Sequence, residues 1–127
     1  MIVVDTSALM TIVLDEADAA PCIAVLEREH EVLVSAGTVA EAMIVAAARK
    51  VAAEMQAVIS SLGFEVVPVT AASAARIAQA YVQWGRGMNS AGLNFGDCFA
   101  YELAKEHDCP LLFVGDDFSR TDIKRAL

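Results

Sequence analysis

Apolar residues along the chain gather into two alternating kinds of run. Short, largely apolar stretches rich in β-branched residues recur four times, at residues 2–4, 32–34, 64–69 and 111–114. The first of them, IVV, shows no polar alternation, the pattern of a strand buried on both faces of a parallel sheet. Between these runs the apolar positions return with helical spacing. Residues 19–30 place Cys22, Ile23, Val25 and Leu26 on one side. Residues 39–49 and 51–62 are Ala-rich with Met and Ile on one face, and residues 71–84 and 96–107 complete the set. Strands alternating with helices predict right-handed βαβ crossovers, hence an α/β fold with a mostly parallel central sheet flanked by helices. The stretch GRGMNSAGLN, residues 85–94, carries three glycines and cannot continue a helix, so it reads as a loop long enough to have a use.

No internal repeat or linker divides the 127 residues, so a single domain spans 1–127 and folding buries about two-thirds of the unfolded surface. The hydrophobic share is 57%, yet no apolar run approaches the ~20 residues that cross a bilayer, which predicts a soluble protein with no membrane partner. No basic leader with an apolar core precedes the first strand, so a cytoplasmic location is expected. Cys22, Cys98 and Cys109 are odd in number and irregularly spaced, which suits a reducing compartment and small buried side chains rather than a disulfide framework. His107 and Cys109 lack the second pair of ligands that a zinc site needs.

The polar positions that interrupt this pattern are mostly acids, and several fall where strands end. Asp5 closes the first strand and stands before a helix start at Thr6, Ser7, Ala8 and Leu9, where capping the helix is a sufficient structural reason for it. Glu41 lies in the opening turn of the helix after the second strand, within a Thr38-x-x-Glu41 capping-box pattern. Asp97 opens the helix at residue 96 in a near capping box with Asn94, and Asp116 and Asp117 follow the fourth strand in GDDF, where either acid could close an Asx turn. In an open parallel sheet ligands bind beyond the carboxyl ends of the strands, so four elements deliver carboxylates to one edge.

Caps alone do not explain that grouping, because Ser, Thr or Asn would cap as well without repelling one another. Two carboxylates about 5 Å apart cost roughly 3 kcal/mol at an effective dielectric near 20, and a helix N-terminus returns only about 0.3–1 kcal/mol. A divalent cation supplies the missing charge. All-oxygen ligation by two or three carboxylates and water is what Mg²⁺ or Mn²⁺ prefers, and no histidine occupies these positions. This reconciles a formal net charge of −8 with a phosphate-bearing substrate, since a cation-filled acidic pocket holds a phosphate and activates a water. Arg86, on the glycine loop, and Arg120, just past GDDF, lie nearest the acids in sequence and are the candidate basic contacts.

IVVDTSAL, the early-helix Glu41, and AGLNFGDCFAYELAKEHDCPLLFVGDDFSRTDI together resemble the PIN-domain ribonucleases, specifically the VapC toxins of bacterial type II toxin–antitoxin systems, from the first residues nearly to the last. The resemblance implies a Mg²⁺- or Mn²⁺-dependent endoribonuclease that cuts structured RNA, commonly tRNA or rRNA, and halts translation until a cognate VapB-type antitoxin covers it. The family's acids map onto Asp5, Glu41, Asp97 and the Asp116–Asp117 pair, with Asp117 the better match to a G-x-D-F tail. Asp5 and Asp97 are expected to hold the metal, with Glu41 and Asp117 positioning or deprotonating the attacking water. Thr6 or Ser7 resembles the hydroxyl that the family sets beside its first Asp, and Ser7, Arg86 and Arg120 are the expected substrate contacts.

Two other folds fit less well. A receiver-like signalling domain expects paired acids after its first strand and a lysine at a late strand end, and a haloacid-dehalogenase-like phosphatase needs an Asp where Ser7 stands. A catalytically degenerate PIN fold that only binds a partner is the remaining alternative. Finally, MTIVL, PCIAVL and AMIVAAA offer more aliphatic surface than one sheet is expected to consume, which predicts a homodimer contact and a groove for an amphipathic antitoxin segment.

Overall fold

The apolar runs form strands because their side chains pack on both faces of a pleated ribbon, and the first is cut short by the polar Asp5 that follows it. The computed structural model describes all residues, Met1 to Leu127. Strands β1 (Ile2–Val4), β2 (Val32–Ser35), β3 (Glu65–Val67) and β4 (Leu111–Leu112) form one sheet in the order β3-β2-β1-β4. All three pairings are parallel, with Ile2 opposite Val32 and Val3 opposite Leu111. Six helices complete the chain: α1 (Thr6–Val13), α2 (Ala19–Arg28), α3 (Ala36–Ala48), α4 (Ala52–Ser61), α5 (Ala71–Trp84) and α6 (Phe95–Glu106). None is long and apolar enough to cross a membrane.

The period-two alternation of the central strands divides the core into two layers. Ile2, Val4, Val32, Val34 and Leu112 face the helices α1 to α4, together with Leu9, Cys22, Val25 and Met55. Val3, Leu33, Leu111 and Phe113 face α5 and α6, where Ile77, Leu93, Cys98, Leu103 and Phe118 meet them. All three cysteines are buried and unpaired.

The predicted element order holds, and the differences lie at ends. Helix α3 begins three residues earlier than the pattern indicates because β2 turns directly into it, with Ser35 as its cap through a bond from the Gly37 N–H at 3.2 Å. Thr38 is therefore inside the helix and not its cap, and no Thr38–Glu41 capping box exists. Strand β3 is cut to three residues because Pro68 removes a ladder donor and the strand is an edge, with Glu65 and Val66 exposed. Helix α2 stops at Arg28, short of His30. The aliphatic surplus read from the first three helices goes mostly into the core: Met10, Cys22, Val25, Leu26, Ala42 and Ala46 are all buried, whereas Ile44 is 70% exposed.

Candidate active site

Asp5 is the first residue beyond β1, and its backbone N–H still donates to Leu112 O of β4 at 3.0 Å. Its side chain then caps α1. Oδ2 accepts the Ser7 N–H at 3.0 Å and the Ser7 hydroxyl at 2.6 Å. Oδ1 accepts nothing, although Asp5 is only 2% exposed. Burial pushes the Asp5 carboxyl up to about 6, with the Glu41 charge adding to the rise and the Ser7 bonds opposing it. A buried carboxylate oxygen without a donor is an acceptor held ready for something outside the fold.

Asp97 is delivered by α6. The Asn94 side chain accepts the Asp97 N–H at 2.8 Å, and Asp97 Oδ2 accepts the Asn94 N–H at 2.9 Å, a complete capping box. The carboxyl is buried and pushed up to about 7, first by burial and then by the charges of Asp5, Asp117 and Glu41. The charges of Asp5, Asp117 and Glu41 are all felt at Asp97. Both GDDF acids are exposed, and Phe118 beside them is buried against Phe113 with ring centroids 5.0 Å apart, which anchors the turn.

Glu41 lies on the second turn of α3 and is half-buried. Thr6 donates its hydroxyl to Glu41 Oε1 at 2.5 Å. Of the two hydroxyls beside Asp5, Thr6 thus orients Glu41 and Ser7 orients Asp5. The Ser7 oxygen also accepts the Val114 N–H at 3.1 Å, which ties α1 to the end of β4. Ser7, expected at the substrate, has its proton committed to Asp5 and serves here as a positioning group.

Gly96 was quoted in the motif without a role, and the structure gives it one. A Cβ at this position would overlap the Glu41 carboxylate, so α3 and α6 approach closely only because residue 96 has no side chain. The Gly-Asp pair in LNFGDC carried that signal. Thr38, buried with its hydroxyl unpartnered, is a second residue that the pattern misread.

The two candidate basic residues both touch the loop of residues 85–94. Arg86 follows Gly85, whose backbone pairs with Leu93 to close the loop at its base. Arg86 is exposed and enters no ion pair, and Tyr81 donates its hydroxyl to the Arg86 carbonyl at 3.1 Å. Arg120 Nη1 donates to Ser90 O at 3.2 Å, bracing the segment after GDDF against the same loop.

The donor set is all oxygen, with one orphaned buried carboxylate oxygen and raised acids that no lysine or arginine neutralises, which fits a hard divalent cation. No group of three or more His, Cys, Asp or Glu side chains is arranged to hold an ion as it stands.

The family model described as "PIN domain" matches residues 2–124. Among curated proteins, Ribonuclease VapC30 of Mycobacterium tuberculosis is 40% identical over 124 residues, covering 95% of this chain and 95% of its own. Ribonuclease VapC28 of the same organism is 39% identical over 129 residues, covering 98% and 97%. Among solved structures, Mycobacterium tuberculosis VapC20, described as a sarcin-ricin loop cleaving toxin, superposes with a TM-score of 0.79 at 18% identity over 97% of this chain and 96% of that one. A toxin-antitoxin complex from Klebsiella pneumoniae gives 0.72 at 17% identity over 96% and 93%. At those identities the structural likeness speaks for the fold.

Proposed function

The chain belongs to the PIN-domain family and, within it, to the VapC ribonucleases, and from that membership we propose that it is a Mg²⁺- or Mn²⁺-dependent endoribonuclease, the toxin of a type II toxin–antitoxin pair. The observation that carries the reading is Asp5: a buried carboxylate with an unpartnered oxygen that feels the charge of Glu41 and raises the carboxyl of Asp97. Asp5 and Asp97 would hold the cation. Bound there, it supplies a positive centre for a phosphate oxygen and lowers the pKa of a water. Glu41, fixed by Thr6, and Asp117, on the Phe118-anchored turn, would position or deprotonate the water that attacks the RNA phosphodiester, the P–O bond to the leaving strand breaking as the new one forms. Arg86 and Arg120 are the proposed contacts to the RNA strand. The substrate class is tRNA or rRNA, so the protein acts in the cytoplasm and its product is arrested translation.

A VapB-type antitoxin is the proposed partner. An open hollow of about 330 Å³ at the C-terminal ends of α2 and α4, lined by Ile23, Leu26, Glu27 and Leu62, is the proposed seat of an amphipathic antitoxin helix. A homodimer is proposed as well, with the exposed Ile44 of α3 in its contact. The deciding experiment is cleavage of a tRNA and rRNA panel with Mn²⁺ and with EDTA, by the wild type, Asp5→Asn and Asp97→Asn. Specific cuts that vanish with EDTA and in both variants are expected. Equal cleavage by wild type and variants at saturating Mn²⁺ would sink the assignment, and folded protein inert on every RNA would leave the partner-binding module as the reading.

A further inference from the structure

Tyr81 and Phe95 form a wall between two hollows of different chemistry. On one side lies the purely apolar hollow between α5 and α6. On the other the same two rings join Arg86 and Asn94 around a space of about 290 Å³. We infer that this second hollow takes an unpaired nucleobase of the RNA strand, next to the bond that is cut, an inference that rests on the ribonuclease reading above.

The four side chains supply what a base needs and a paired helix does not. Phe95 is 66% exposed, an unusual surplus for a large ring, and it stands edge-on to Phe99 with centroids 4.9 Å apart, so it is held in place while remaining open. Tyr81 is fixed by the bond from its hydroxyl to the Arg86 carbonyl. Asn94 spends its side-chain oxygen on the Asp97 N–H, which leaves its amide NH₂ free to donate to a base carbonyl or ring nitrogen. Arg86, in no ion pair, brings a planar cation that stacks on a base or donates to its edge. Single-stranded bases bind by this combination of ring faces and guanidinium planes, whereas bases inside an A-form helix are shielded from it.

Two further facts place the base relative to the chemistry. Asn94 and Asp97 are locked by both bonds of the capping box, so a base resting on residues 94 and 95 is held in fixed register with an active-site acid. The chain also carries nine Lys and Arg against seventeen Asp and Glu, and Arg76, Lys105 and Lys124 are already paired with acids. On so acidic a chain, contacts to bases add grip that phosphate contacts alone supply less of.

The test uses the full chain, a short fluorescent single-stranded RNA and the same strand in a duplex, with Phe95→Leu, which removes the ring and keeps the apolar bulk, and Arg86→Ala. Binding is read by anisotropy, with light-scattering mass and melting temperature on each variant. Phe95→Leu is expected to weaken single-strand binding roughly tenfold and leave duplex binding, mass and melting temperature unchanged. Cleavage of the best RNA from the panel is expected to fall in kcat/KM by a similar factor. Wild-type cleavage with single-strand binding and kcat/KM unaltered in both variants overturns the inference while the ribonuclease reading stands. A Phe95→Leu protein that changes mass overturns it too, because the ring then belongs to a contact between copies. Absence of cleavage on every RNA removes the ribonuclease reading and this inference with it.

Discussion

Asp5 makes stability depend on pH in the direction opposite to an ion-paired carboxylate. In the unfolded chain it titrates near 3.8, and in the fold near 6. Below the lower value both states hold the proton. As pH rises between the two, the unfolded chain releases its proton while the folded one keeps it, so unfolding gains free energy and stability falls. Above about 6 the loss is complete, and the whole shift corresponds to about 3 kcal/mol. Between pH 5 and pH 7.5 the share that remains to be lost is about 1.5 kcal/mol, or ~5 °C in melting temperature for a domain of this size.

Asp5→Asn isolates that share. Its amide oxygen still accepts the Ser7 N–H and caps α1, but its NH₂ sits where Oδ1 lacked a partner, a pH-independent penalty of about 1–2 kcal/mol. The informative quantity is therefore the change in the gap between wild type and variant, not the gap itself. Thermal or urea melts in EDTA at the two pH values are expected to show the variant gaining about 1.5 kcal/mol on the wild type as pH rises. The general relief of a net charge of −8 on acidification acts on both proteins and cancels. A gap that stays constant, or moves in the variant's disfavour, would refute the argument that burial raises this carboxyl.

Adding Mn²⁺ at pH 7.5 is expected to raise the wild-type melting temperature by mass action, about 2.7 kcal/mol at a hundredfold excess over Kd, with no rise in Asp5→Asn. A flat wild-type titration to tens of millimolar contradicts the cation reading. Gly96→Ala is expected to melt within about 1 kcal/mol of wild type, since helix propensity gains what packing loses, yet cut RNA more than tenfold more slowly because Glu41 is displaced. Phe118→Ala removes a buried ring that holds the Asp117 turn and is expected to cost about 3–4 kcal/mol in urea melts. Tyr101→Phe leaves the Trp84 indole N–H and an Asp122 oxygen without the hydroxyl they share and is expected to cost about 1–3 kcal/mol.

Much of this was readable because strand and helix periods differ so plainly in this chain. IVV and LLFV admit no helical reading, and Ala71–Trp84 is bounded at both ends as its pattern implies. Helix α3 was harder, because a strand that turns into a helix with no loop leaves no polar break to read, and Ser35 belongs to both elements. The surplus of aliphatic residues misled for a different reason. Helices α1 to α4 all pack on one face of the sheet, so that layer consumes far more side chains than a single row of helices would. At the site the acids were legible as positions after strands, but the choice between Asp116 and Asp117 was not. It depends on which way a turn faces, and both acids are exposed on that turn.

Capping and chemistry, which compete as explanations of an acid at a strand end, turn out to be the same interaction here. Asp5 uses one oxygen to cap α1 and leaves the other bare; Asp97 closes the capping box of α6 with Oδ2. A cap fixes a short side chain to backbone N–H groups, which are the least mobile donors in a protein, so it sets a carboxylate more firmly than a side-chain partner would. Serine would cap as well and asparagine nearly so, without burial forcing the group toward its neutral form. The fold accepts that penalty at Asp5 and Asp97 together, in mutual repulsion with Glu41 and Asp117. Positions that lose stability by being acidic, while a neutral cap was available, are the positions where the charge has a use beyond the fold.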